Sequence, residues 1–245
     1  MLRKLLLALV LWWPGIALAA PHTVAVLYFD NGGDAQYDAL KVGLTQMLIN
    51  DLVGTPEVKV VERTDLQAIL DELKLGHSAV TDPKTAARVG RLLGAEWLVL
   101  GTYFELGGKL FVQSRILRVE TGEILAARSL QDAPGKFLDL EHTLAGAWRT
   151  TLTGLAGDGT PSRPAAPAES TGQAPPERVR GASEPADTRV ATPDAKALGA
   201  AVAYSEGLIY LDTKDLPRAR EAFEQAVADD PRLDDAKAQL SALHL

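Results

Sequence analysis

Residues 58–101 decide the fold. Val58-Lys59-Val60-Val61-Glu62-Arg63 reads as a short strand, and Thr64-Asp65-Leu66-Gln67 then begins a helix. Thr64 and Gln67 have the spacing of a capping box, in which each side chain satisfies a backbone N–H of the other's residue. Leu66, Ile69, Leu70 and Leu73 follow at i, i+3, i+4 and i+7, one apolar stripe. Asp82-Pro83-Lys84-Thr85-Ala86-Ala87 opens another helix. Thr81 or Asp82 caps it, and Pro83 sits first, where its missing N–H costs nothing. Leu92-Leu93-Gly94-Ala95-Glu96-Trp97 ends that helix at Gly94 and leads into the apolar strand Leu98-Val99-Leu100-Gly101.

Upstream, residues 23–29 form an apolar strand closed by the turn-rich Asp30-Asn31-Gly32-Gly33-Asp34. Leu40, Leu44, Met47, Leu48 and Leu52 then mark one face of a helix. Downstream, residues 97–104 and 110–119 flank Gly107-Gly108, a tight hairpin turn, and residues 124–130 follow Glu120-Thr121-Gly122-Glu123. A last helix, 137–155, buries Phe137, Leu140, Leu144, Trp148 and Leu155. The order β-α-β-α-α-β-β-β-α predicts an α/β domain: a mixed parallel and antiparallel sheet packed by helices, spanning residues 20–156.

Residues 1–19 read as a secretory signal: Arg3 and Lys4, an apolar run of 9 residues, then Pro14-Gly15 before Ala17-Leu18-Ala19. The run is far short of the roughly 20 residues of a spanning helix. Cleavage near Ala19 lowers the basic count from 25 to 23 against 32 acidic residues, a net charge of −9. So acidic a product has no electrostatic reason to hold a phosphate backbone, so no nucleic acid is expected as partner. There is no cysteine, hence no disulfide and no thiol for a lipid anchor; a soluble periplasmic protein without direct membrane insertion is expected.

Residues 157–195 hold seven of the chain's 14 prolines and few large aliphatics, the composition of a disordered Pro/Ala-rich linker. Residues 196–245 are helical again. Gly207, Tyr210, Ala219, Phe223, Ala226 and Pro231 fall where a 34-residue tetratricopeptide (TPR) repeat places them, and the tail resembles one such repeat, with Ala203 and Glu206 departing from the pattern. A single repeat cannot bury its own apolar faces. Self-association, docking on the head or stacking on a partner is therefore expected, with Tyr204, Leu208 and Leu211 turned toward a partner protein.

Signs of catalysis or metal binding are weak. His22, His77, His142 and His244 share no ligand spacing, and no thiol is available as a co-ligand; no catalytic residue, cofactor or metal site is expected. Gly107-Gly108-Lys109 lacks the remainder of a phosphate loop. Asp30-Asn31-Gly32-Gly33-Asp34 lies where α/β sheets hold ligands, but the favoured reading is a turn whose short polar side chains satisfy backbone N–H groups. Glu62-Arg63 is a candidate ion pair at the same edge.

One motif string runs through the head: E-R-x-D-L-x-x-I-L on Glu62, Arg63, Asp65, Leu66, Ile69 and Leu70, then D-x-x-T-A-A-x-x-G on Asp82, Thr85, Ala86, Ala87 and Gly90. L-G-A-x-x-L-V-x-G follows on Leu93, Gly94, Ala95, Leu98, Val99 and Gly101, and T-G-E-I on Thr121, Gly122, Glu123 and Ile124. This string resembles the CsgG-like family of bacterial envelope proteins, related in fold to the amino-terminal domain of TolB. The resemblance implies a non-enzymatic adaptor or accessory factor in envelope assembly or secretion, with envelope or outer-membrane proteins as partners. A ring-forming component of an outer-membrane export system is the first alternative, allowing a homo-oligomer. A periplasmic protein binding a small ligand or cation near Asp30 and Glu62 is the second. The family's membrane barrel needs long inserted hairpins, and no connection in this head has room for them.

Overall fold

The computed structural model describes residues 20–157 and 193–243; the signal segment and nearly all of the expected linker lie outside the described residues. Six strands form one sheet: β1 (His22–Val26), β2 (Asp30–Asn31), β3 (Val58–Val60), β4 (Trp97–Leu106), β5 (Lys109–Arg118) and β6 (Ile124–Asp132). Their order is β3-β1-β4-β5-β6, with β2 also paired to β4. β1 runs parallel to β3 and β4, and β4, β5 and β6 form an antiparallel meander. The mixed α/β fold read from the sequence is the fold observed.

The first strand differs from its expected extent. β1 stops at Val26, and the chain rejoins the sheet as β2, with Asp30 and Asn31 beside Thr102 and Tyr103. Between the two strands Leu27 N still donates to Val99 O at 2.8 Å, and the Phe29 ring lies against Gly101, where any Cβ would overlap it. At the Gly107-Gly108 turn both residues have positive φ, +61° and +72°, as a two-residue type I′ hairpin requires.

Helices cover the sheet unequally. α1 (Leu40–Leu52) and α4 (Phe137–Gly157) pack on one face, where Trp148 Nε1 donates to Ser114 Oγ at 3.1 Å. α2 (Arg63–Leu73) and α3 (Pro83–Leu92) follow β3. α3 lies on the opposite face, with Gly90 against Leu98 and Val119. Asp82 caps α3 by accepting from Thr85 N at 2.9 Å, and Gly94 lies just past its end with φ +64°. The expected Thr64–Gln67 box does not form: the N-cap lies two residues earlier, at Glu62, and α2 begins at Arg63. Gln67 is drawn instead to Tyr28, whose hydroxyl donates to it at 2.8 Å.

The tail adds α5 (Pro193–Asp212), α6 (Leu216–Asp229) and α7 (Asp234–Leu243). α5 and α6 form a close hairpin, with Gly207 against the Phe223 ring. α5 lies along α1, and Leu198, Tyr204, Leu208 and Phe223 share one continuous core with the head. Each such large side chain, fully buried, contributes roughly 1.5–3 kcal/mol. The closest approach is at Gly43 in the first turn of α1, where a Cβ would overlap the Ser205 hydroxyl and touch the Tyr204 ring. A glycine inside a helix costs about 1 kcal/mol relative to alanine, so its presence here serves the crossing. Gly43→Ala should therefore destabilise the chain by about 1–3 kcal/mol in urea denaturation, despite its better helix propensity. Ser205→Gly in the same chain should recover most of the loss.

Candidate functional site: the seam between head and helical module

The seam is built around Arg63, the arginine of the E-R motif. Its position at the start of α2 points the side chain under α5, and the side chain is 5% exposed. The guanidinium donates through both terminal nitrogens to Asp212, at 2.7 and 2.8 Å, through Nε to Gln46 at 3.1 Å, and to the Tyr28 hydroxyl at 3.3 Å. Burial opposes the charge, but the hydrogen bond with Asp212 and the neighbouring oxygens outweigh it and hold the pKa above its ordinary value. Glu62, the expected partner, is exposed at the N-cap position of α2 and makes no side-chain capping hydrogen bond. The pair is therefore Arg63–Asp212, spanning head and tail, because Glu62 points to water while Arg63 is covered by α5.

Tyr28 and Gln67 extend the network to His77. The imidazole stacks on the Tyr28 ring at 4.0 Å between centroids, with Nε2 3.0 Å from Gln67 Oε1. Burial, then the charges of Lys41 and Arg63, depress the His77 pKa; Asp212 and Asp71 act weakly the other way. His77 also borders a cleft of about 330 Å³ between α1 and α5, lined by Asp38, Lys41, Val42, Glu206, Ile209 and Tyr210 among others.

The residues expected to face a partner protein lie in this intramolecular seam. Tyr204 is fully buried, with its ring 5.8 Å from that of Phe223. Leu208 is 2% exposed, and Leu211 is partly buried against the same core. Tyr204 packs between Gly43 of α1 and Phe223 of α6, inside the chain itself. At the end of β2 and in the turn after it, Asn31 Oδ1 accepts from Gly33 N and Asp34 Oδ1 from Gln36 N, both at 2.9 Å, so the short side chains satisfy local backbone.

A second polar cluster lies at the far end of α1. Asp51, Glu141 and His142 present ligand-type atoms all within 4.8 Å of one another. Glu141 is 1% exposed, and its Oε1 has no hydrogen-bond partner. Burial, with the charges of Asp51 and Asp235 added, pushes its carboxyl well above the usual range. Asp235 belongs to α7 and accepts from Asn50 Nδ2 at 2.7 Å. Spacing arguments missed the cluster because Glu141 and His142 on α4 are completed by Asp51 from α1, 90 positions away in sequence. A signal was present: Glu141 falls on the stripe of Phe137, Leu140, Leu144 and Trp148, a carboxylate at a core position of an amphipathic helix. Asp212 carried no such signal.

Residues 21–110 match the family model described as "Curli production assembly/transport component CsgG". Among solved structures, the chain is similar to the LpoB C-terminal domain from Salmonella enterica, at 17% identity and a TM-score of 0.38, covering 48% of this chain and 87% of that one. It is similar to lipoprotein GNA1162 from Neisseria meningitidis, at 15% identity and a TM-score of 0.38, covering 57% of this chain and 100% of that one. It is also similar to TolB from Acinetobacter baumannii, at 14% identity and a TM-score of 0.34, covering 56% of this chain and 29% of that one. No curated protein matches.

Two outcomes follow from the seam. Asp212→Ala leaves a buried guanidinium without its carboxylate and should cost about 3 kcal/mol in urea denaturation. Arg63→Met combined with Asp212→Leu should cost less than the two single changes summed, because neither charge is then stranded. His77 sets a pH dependence. Its folded pKa lies below the unfolded value near 6.5, so the unfolded chain takes up the proton first. The His77 contribution is intact above pH 6.5 and is lost as pH falls from there through the folded pKa. Stability should drop more steeply with acidification in the wild type than in His77→Gln, by up to one proton in slope.

Proposed function

We propose that this chain is a non-enzymatic accessory protein of the cell envelope, acting in assembly or secretion by binding other proteins. The reading starts from the family match over residues 21–110, whose described member is a curli assembly and transport component. A periplasmic location follows from reading residues 1–19 as a signal peptide. Among the described residues no helix is long and apolar enough to cross a membrane. The module after the linker is TPR-like in this reading, and it is held on the head rather than reaching freely for a partner.

The observation that carries the proposal is how the polar groups and faces are used. Arg63, Tyr28, Gln46, Gln67 and Asp212 satisfy one another across the seam. Both helical layers leave the hairpin end of one sheet face open. By register, Phe104 and Phe111 share that face with Gln131, and Thr102 and Gln113 share it with Ser129. The two phenylalanine rings stack at 5.0 Å and stay partly exposed, and Gln113, Ser129 and Gln131 are exposed. Beside them runs β6, nine residues long and the last strand of the order, with its outer backbone groups unpaired in the sheet. An aromatic pair next to a free strand edge suits an extended protein segment, which gains backbone hydrogen bonds from the edge and anchors on the rings.

Photo-crosslinking residues placed at 111, 113 and 129 should yield discrete adducts with envelope proteins in cells. The same probe at Leu216 or Glu224, on α6, should not. Adducts only on α6, or none at either place, would overturn the proposal.

A further inference from the structure

The Asp51–Glu141–His142 cluster differs from an ordinary surface group of acids in one respect: its central member is buried and unsatisfied. Glu141 is 1% exposed, Oε1 accepts no hydrogen bond, and the charged groups that act on it are both carboxylates, Asp51 and Asp235. A buried carboxylate facing two more carboxylates is unfavourable unless a cation or a set of donors compensates it. Among the described residues no arginine or lysine does so, and the one potential cation beside it is His142, with Nε2 3.7 Å from Glu141 Oε2. The ion pairs Arg232–Asp139, Arg232–Asp230 and Lys237–Asp234 engage the nearby bases elsewhere.

The geometry around Glu141 supplies the rest of a coordination set. His142 Nε2 lies 3.7 Å from Glu141 Oε2 and 3.8 Å from Asp51 Oδ2. Those separations exceed hydrogen-bonding distance. They approach the spacing of roughly 3.4 Å between ligand atoms that each bind a tetrahedral zinc at about 2.1 Å. Asp51 stands in the last turn of α1, which carries no basic residue, so the negative end of that helix adds to the attraction. One imidazole with two carboxylates is a mixed nitrogen and oxygen set suited to a divalent transition ion.

We propose that Asp51, Glu141 and His142 bind a divalent transition-metal ion, of the zinc class, at the junction of α1 and α4 beside the Asn50–Asp235 contact with α7. Asp51 and Glu141 each give one carboxylate oxygen, and His142 gives Nε2 as the neutral imidazole. The ion ties the end of α1 to α4. It also neutralises the field on Asp235, the carboxylate by which α7 holds Asn50. Metal binding therefore strengthens the docking of the helical module. The role is structural and adds nothing to the partner-binding surface proposed above.

The test uses the full chain, stripped with a chelator and titrated with Zn²⁺ by calorimetry, with thermal unfolding in parallel. One equivalent should bind, and the unfolding temperature should rise with metal concentration. Glu141→Gln, a near-isostere that removes the buried charge and should fold well, should weaken binding at least tenfold, and so should His142→Ala. Co²⁺ in place of Zn²⁺ should give the visible bands of a tetrahedral site in wild type, and lose them in both variants. No binding of Zn²⁺, or equal binding in wild type and Glu141→Gln, would overturn the assignment. So would Zn²⁺ affinity that is unchanged in His142→Ala.

Discussion

A guanidinium taken out of water has to find an anion, and Arg63 finds its partner 149 residues away in the chain. This requirement organises the seam. α2 delivers the arginine, Tyr28 and Gln46 satisfy its remaining donors, and only the end of α5 supplies the compensating carboxylate. Without the module the same side chain would lose both its cover and its carboxylate, keeping only neutral oxygens and water as partners. The head's polar network is complete only when the tail is docked, so the two parts behave as one body.

Packing imposes the same condition. Gly43 gives up helix propensity so that α5 can approach α1, and Ser205 and Tyr204 occupy the space a side chain would have filled. Gly207 makes the same concession to Phe223 within the module. The two contacts succeed each other along α5, so one helix is held closely from both sides. Directional hydrogen bonds at Arg63 then select a single rotation of α5 among those that apolar burial alone would tolerate.

Much of the head was legible in residues 58–101, because helix caps, glycine stops and hydrophobic periodicity are local. Asp82 with Pro83 and Gly94 bracket α3 as their chemistry requires, and Gly107-Gly108 turns the hairpin. The errors lie where tertiary demands override local ones. Gln67 had the right spacing for a cap but serves Tyr28 and His77. Residues 27–29 looked like the continuation of a strand, yet β1 stops at Val26 and the Phe29 ring lies against Gly101. The seam was the least legible part. Tyr204 and Leu208 read as a partner-facing surface because an apolar helix face declares that it will be covered, without declaring by what. Asp212 is one carboxylate at a helix end, and nothing beside it in sequence announces a buried arginine.

Arg63 and Glu141 are two buried charges to which the chain gives different treatment. Arg63 is surrounded by acceptors, so burial in a low-dielectric setting strengthens its bonds and the charge is retained. Glu141 has like charges as neighbours and an oxygen with no donor, so the same setting works against its ionised form. Replacing Glu141 by a leucine would continue the stripe of Leu140, Leu144 and Trp148 and remove the conflict. A core position that keeps a carboxylate against that gradient is better explained by a ligand that needs the charge than by packing. This difference separates the seam at Arg63, whose residues complete one another, from the cluster at Glu141, whose residues do not.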